Sequence, residues 1–201
     1  MQLIRALSKG DPVSHHGQYY QTRQARLYTR PSHPIPIFIS SLVPNSARLA
    51  GEFGDGLITV GGKEPDVYRA IISNFEAGAR AVHKDPAKMP RMIELAVSYG
   101  ADEEQAIKYR KDYWAGTFVP ALFTERIYTP ELSAENGKAV GSGTIRRAAC
   151  LSADPAEHVR MAQRYMVLGF DHLIFHSAGP DQRALIEGYG RDVLPNLRRT
   201  Q

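Results

Sequence analysis

Three short stretches of this 201-residue sequence carry groups able to hold an anion or move a proton. The first is Ser40-Ser41-Leu42-Val43-Pro44-Asn45-Ser46. An apolar run ends there and helical spacing begins. The free N–H groups of a helix start, joined by the hydroxyls of Ser40, Ser41 and Ser46, make an anion site. The second is Gly61-Gly62-Lys63, a cation on a turn that follows another apolar run. The third is His172-Leu173-Ile174-Phe175-His176. His176 falls near the end of this run, on the side where a ligand would sit, and histidine titrates in the range useful for proton chemistry.

Other suggestive residues lose to plainer readings. His15-His16 has no third ligand at metal spacing and reads as surface. Gly51-Glu52-Phe53-Gly54-Asp55-Gly56 has glycines in the wrong order, between helix and strand, for a dinucleotide fingerprint, so it reads as a helix cap and turn. Gly141-Ser142-Gly143 lacks the context of a nucleophile elbow and reads as a flexible loop. Tyr109, Tyr113 and Trp114 read as packing residues. Cys150, the only cysteine, has no activating neighbour and reads as a small buried hydrophobe; it excludes an internal disulfide.

The elements that must carry these groups alternate. Apolar runs at 35–41, 56–60, 92–99 and 171–176 are each followed by helical spacing. Pro44 suits a first helical position, and Gly54 a left-handed position after a helix end. Long helices fit Glu64 to about His83, Ala101 to Ala115, and Pro180 to about Leu197. Thr129-Pro130-Glu131 caps a short one. Asp154-Pro155-Ala156-Glu157 reads as a capping box opening a helix that ends at Gly169. Strands separated by helices of this length imply right-handed crossovers and a parallel sheet. Before Ser32 the pattern differs: Leu3, Ile4 and Leu7 form one face of a helix, and 13–28 reads as an antiparallel hairpin excursion. With no linker or short repeat, residues 1–201 form one domain.

Composition bounds the rest. The chain is 43% hydrophobic and 23% charged, as in globular proteins. Its net charge of +4 is spread without a basic run, which argues against nucleic acid. No apolar stretch is long enough to span a bilayer, and the start is too short and polar for a secretory signal. A reducing cytoplasm suits one cysteine.

The block from Ile37 to Ile58, the lead-in Gly10-Asp11-Pro12-Val13-Ser14-His15-His16-Gly17-Gln18-Tyr19-Tyr20 and the ending Gly169 to Gln182 resemble the luciferase-like monooxygenase superfamily. The ending is most similar to its coenzyme F420-dependent branch, which includes glucose-6-phosphate dehydrogenases. The resemblance implies a TIM barrel of eight βα units using a deazaflavin or, alternatively, FMN. Only four units are visible, so the expected fold is α/β, the C-terminal half of a (β/α)8 barrel. The resemblance places the catalytic His and Glu in the other half. It therefore assigns no catalytic residue here, and no metal.

The resemblance does imply binding residues. Ser40, Ser41, Leu42, Val43, Asn45 and Ser46 would meet the cofactor's ribityl-phosphate side through backbone groups. Many members have glycine where Leu42 and Val43 stand. Lys63 occupies the place of a substrate-phosphate lysine and Arg147 that of a phosphate-binding arginine; His176 is a further candidate substrate contact from its position at the strand end alone. No lysine stands near Phe123-Thr124-Glu125, where a second phosphate lysine falls. The implied activity is F420-dependent hydride transfer to or from a small alcohol or sugar-like substrate. The alternatives are an FMN-dependent monooxygenase and a catalytically silent half-barrel. Uncovered strand edges predict a homodimer or pairing with a missing half-barrel.

Overall fold

A computed structural model describes residues 1–99, 102–118 and 129–198. Helix α1 (Gln2–Ser8) leads to an antiparallel pair, β1 (Val13–His16) and β2 (Gln21–Ala25). Then come β3 (Phe38–Ser40), α2 (Pro44–Phe53), β4 (Gly56–Val60), α3 (Pro65–Ala81) and β5 (Arg91–Tyr99). Helices α4 (Glu103–Trp114), α5 (Pro130–Lys138) and α6 (Ser142–Ala148) precede β6 (Cys150–Ser152). Helix α7 (Pro155–Val167), β7 (His172–Ser177), α8 (Gln182–Gly188), a π-helical turn (Tyr189–Val193) and α9 (Leu194–Arg198) complete the chain.

The four expected strands exist and run parallel: β3 pairs with β4, β4 with β5, and β5 with β7. The α/β half-barrel expectation holds as an open parallel sheet, not a closed ring, among the described residues. The short strand β6 is an addition. Met92 pairs with both Ile58 and His172, and Val97 with both Cys150 and Ser177. A strand has two edges, so β7 takes one and β4 and β6 share the other, one beyond the other.

Alternation along these strands separates two faces. Ile93, Leu95, Val97, Leu173 and Phe175 join Tyr68, Met161, Phe170 and Tyr189 in the main core under the helices. Leu57 packs with Ala47, Ala50, Ile71 and Phe75 in a second core. The opposite face presents Ile58, Val60, Glu94, Ile174 and His176.

Helices α2 and α3 cross closely because glycines meet there. A Cβ on Gly51 would lie 2.0 Å from the Phe75 carbonyl oxygen, and one on Gly78 2.0 Å from that of Arg48. Helix α2 does not end in a left-handed glycine as its sequence suggests: Gly54 is extended (φ −89°, ψ 171°). Instead Lys84 Nζ donates to the carbonyls of Gly51, Glu52 and Gly54, capping the helix from another element. The Asp154 cap forms, its carboxylate accepting from the Ala156 N–H. The expected capping box does not: Glu157 pairs with Arg160, and the Asp154 N–H donates to Ser152 Oγ. Gly169 is left-handed (φ +102°), as a helix terminator requires. Thr129 caps α5 through its hydroxyl. The Gly141-Ser142-Gly143 stretch is the start of α6, not a loop, with Gly141 as the residue before the helix. The strand reading over 35–41 narrows to 38–40, since Pro34 and Pro36 withhold ladder donors.

Candidate functional site

Of the candidate side chains, Ser40, Lys63 and His176 lie at or just beyond the C-terminal ends of parallel strands, where barrel enzymes build their sites, and Arg147 lies just before β6. Two tyrosines shape the turn after β4. Gly61 N–H extends the ladder to the Glu94 carbonyl (2.8 Å). Gly62 (φ +87°) needs the left-handed freedom of glycine, and its N–H donates to Tyr165 Oη. Lys63 N–H donates to Tyr68 Oη, which in turn donates to the Val60 carbonyl. Burial pushes the Tyr68 phenol far above its ordinary value, so it stays neutral and keeps that proton for the Val60 carbonyl.

A cleft of about 780 Å³ opens beside this turn. Lys63, Arg147, Arg146 and Arg164 line it, with Glu64, Glu103 and Glu157 at its margins. It sits where β4 stops and β6 begins, and it is lined by both Leu95 and Ala96, neighbours that point to opposite faces of β5. Arg146 is held by Glu103 (2.6 Å), and Arg147 by Thr144 Oγ1 (3.3 Å). Lys63 Nζ has no partner among the described residues. Cys150 also lines the cleft; burial raises its thiol to about 11, so it stays protonated and unreactive, as its sequence context suggests.

The turn after β3 is a separate place. Ser41 is buried, and its hydroxyl lies 2.7 Å from that of Ser46; both hydroxyls also reach the Val43 carbonyl. They thus satisfy each other and the turn. Ser40 is exposed, and Leu42 and Val43 are largely so. Val43 precedes α2 in an extended conformation without a side-chain cap, which leaves the first-turn N–H groups of Asn45 and Ser46 without a cap acceptor. Neither Leu42 nor Val43 is left-handed, so the backbone here does not itself require glycine.

His176 is not among the residues lining the cleft; it lies at the end of β7, on the face of the sheet away from the main core, with Ala96 as its register neighbour. Its Nδ1 is 3.2 Å from Glu94 Oε1. Its ring meets Trp114 edge-on, with centroids 4.3 Å apart. Arg110, almost fully buried, lies over the rings of Trp114 (5.6 Å) and Phe118 (5.7 Å). The structure thus brings Lys63 and Arg147 together, and keeps the β3–α2 turn and His176 distinct. Sequence reasoning missed Glu94 and Arg110 and took Trp114 as packing alone. The available signal was Glu94, an acid in the middle of an otherwise apolar strand. His15 and His16 are on the hairpin, and no cluster of metal-ligating side chains occurs among the described residues. The Phe123–Glu125 position lies outside the described residues.

Residues 1–172 match the model of the luciferase-like monooxygenase family. The chain belongs to that family. Among its curated relatives, the F420-dependent glucose-6-phosphate dehydrogenases of Nakamurella multipartita and Mycolicibacterium gilvum are 35% and 36% identical over 98% and 99% of this chain. The chain spans 58% and 59% of their lengths. An F420-dependent secondary alcohol dehydrogenase, solved with an F420–acetone adduct, superposes with a TM-score of 0.87 at 30% identity, covering 98% of this chain and 59% of its own. The F420-dependent tetrahydromethanopterin reductase of Methanopyrus kandleri shares the fold (TM-score 0.76, 20% identity). The family member described here therefore has F420-dependent oxidoreductases as its relatives, with a monooxygenase from Streptomyces bottropensis sharing the fold at 15% identity (TM-score 0.68). None of its helices among the described residues is long and apolar enough to cross a membrane.

Proposed function

We propose that this chain supplies the substrate-anion and cofactor-linker contacts of an F420-dependent oxidoreductase acting on an alcohol or hemiacetal carbon. The observation that carries the reading is the cleft holding Lys63 and Arg147 at the C-terminal end of β4. Lys63 is unpaired among the described residues, and Arg147 is tethered only by a neutral hydroxyl, so both cations remain free to take a phosphate or carboxylate. The open first turn of α2 fits the cofactor's anionic linker, with Asn45 and Ser46 offering N–H groups and exposed Ser40 a hydroxyl. Leu42 and Val43 would offer apolar contact beside it, while Ser41 and Ser46 hydroxyls hold the turn's shape. A bound deazaflavin supplies hydride transfer and no useful oxygen activation; this chain's residues bind and orient.

Titrating the chain with F420 and with FMN, each followed by cofactor fluorescence, tests the reading. F420 binding that Asn45→Pro weakens supports it. FMN binding without F420 binding overturns it in favour of a flavin monooxygenase.

A pairing reading has its own support. Strands β3 and β7 each have an unpaired edge among the described residues, and the face between them leaves Val60 and Ile174 substantially exposed. Parallel edges and an apolar interior face suit a second half-barrel, from a second copy or from a chain carrying the other four units. Light scattering after size exclusion checks this; a monomer with a cooperative melt argues against it. The single cysteine and the small-molecule relatives fit a cytoplasmic enzyme.

A further inference from the structure

Glu94 is the only charged side chain in β5 beyond its first residue, and it faces away from the main core, which α3, α7 and α8 cover. Register places Glu94 beside Ile174 and Ala96 beside His176. Since Leu173 and Phe175 pack into the core, His176 projects to the same face as Glu94. The two side chains meet there, Nδ1 to Oε1, at 3.2 Å.

Two side chains of α4 stand around the pair. Arg110 approaches from α4 and interacts electrostatically with Glu94. Its Nε and Nη1 have no hydrogen-bond partner among the described residues, although it is only 4% exposed. Near neutral pH a glutamate side chain carries a carboxylate. An ionised carboxylate only accepts hydrogen bonds, so a proton on Nδ1 makes this 3.2 Å contact attractive, whereas a bare Nδ1 lone pair makes it repulsive. The Trp114 ring edge stands against the imidazole from α4 as well. Flipping the ring would set a C–H against the carboxylate.

We propose that Glu94 is a positioning residue that holds His176 with its proton on Nδ1, leaving Nε2 to accept a hydrogen bond from a hydroxyl-bearing substrate. The substrate half of this assignment rests on the alcohol or hemiacetal reading above; the tautomer half does not. The logic is that of any oriented imidazole: the partner of one ring nitrogen sets what the other can do.

Long-range proton–nitrogen spectra of the nitrogen-15-labelled chain at about pH 8, above the ordinary histidine range, report the tautomer directly. His176→Gln identifies the resonance among the seven histidines. The expected result is a neutral ring with Nδ1–H, inverted to mainly Nε2–H by Glu94→Ala while the circular dichroism is unchanged. Nε2–H in the unaltered chain overturns the proposal even if Glu94→Ala does not fold, and so does a tautomer that Glu94→Ala leaves alone. Adding glucose 6-phosphate is then expected to move the His176 Nε2 resonance. If the Lys63 and Arg147 signals move and Nε2 does not, the substrate half fails. If none moves, the anion-site reading fails and takes the substrate half with it, while the tautomer measurement still decides the role of Glu94. No cofactor is needed for the tautomer measurement.

Discussion

The two faces of the sheet obey different rules. On the helix side, Leu57, Ile93 and Val97 are fully buried and Leu95 is 1% exposed. On the other side Val60 is 38% and Ile174 41% exposed, and the polar groups Glu94 and His176 stand among them. The first face holds the chain together. The second offers chemistry and gains little from its own side chains until something covers it.

The sharpest way to break this contrast is a matched pair of truncations. Leu95→Ala is expected to cost about 3 kcal/mol or more, as for buried leucines generally. Ile174→Ala should cost under about 1 kcal/mol, because much of the side chain is already wet. Urea unfolding of both variants measures the difference; equal losses would mean that the open face is covered. Next in size, Gly78→Ala drives a Cβ into the Arg48 carbonyl and should cost about 2 kcal/mol, read in the same experiment. Gly190→Ala, with open space around its Cβ, should cost much less.

A pH series sharpens the contrast further. His158 is fully buried, its Nε2 donating to the Ser152 carbonyl and its Nδ1 accepting from Tyr189 Oη. Burial holds it below the ordinary histidine value of 6.5. The unfolded chain therefore takes up a proton before the folded chain does. Stability is full above pH 6.5 and is lost as pH falls below it, toward the depressed folded value. His158→Gln should flatten that loss in thermal melts at pH 7 and pH 5.5. The smallest effect is expected at the surface: Arg183→Ala removes an exposed pair with Glu187 (2.7 Å) and should shift stability by no more than about 0.5 kcal/mol.

The parts of the fold that could be read from the sequence follow from the same contrast. The four long-spaced strands announce themselves because their open face carries apolar residues as well as the helix-covered one, giving nearly continuous apolar runs such as Leu57-Ile58-Thr59-Val60. Strand β6 does not, because three residues between two helices carry no period. The Gly54 reading failed because the helix end is satisfied by Lys84, thirty or more residues away, which no local pattern reveals. The π-helical turn at Tyr189–Val193 is likewise set by tertiary packing around His158 and Tyr99. At the site, Lys63 was legible from its glycine-rich turn. The meeting of Glu94, Arg110 and Trp114 around His176 was not, since it joins three elements far apart in sequence.

Strand β6 joins the sheet through a ladder of three residue pairs, Val97–Cys150, Ser98–Leu151 and Tyr99–Ser152. With the helix before it, the segment is also packed inward: Ile145 of that helix is fully buried, Cys150 packs against the main core and the Ser152 carbonyl meets the buried His158, so one wall of the cleft doubles as part of the interior. Exchanging its exposed arginines, Arg146 and Arg147, is the way to retune which molecules are admitted without disturbing Leu95, which lines the cleft and carries the core at once.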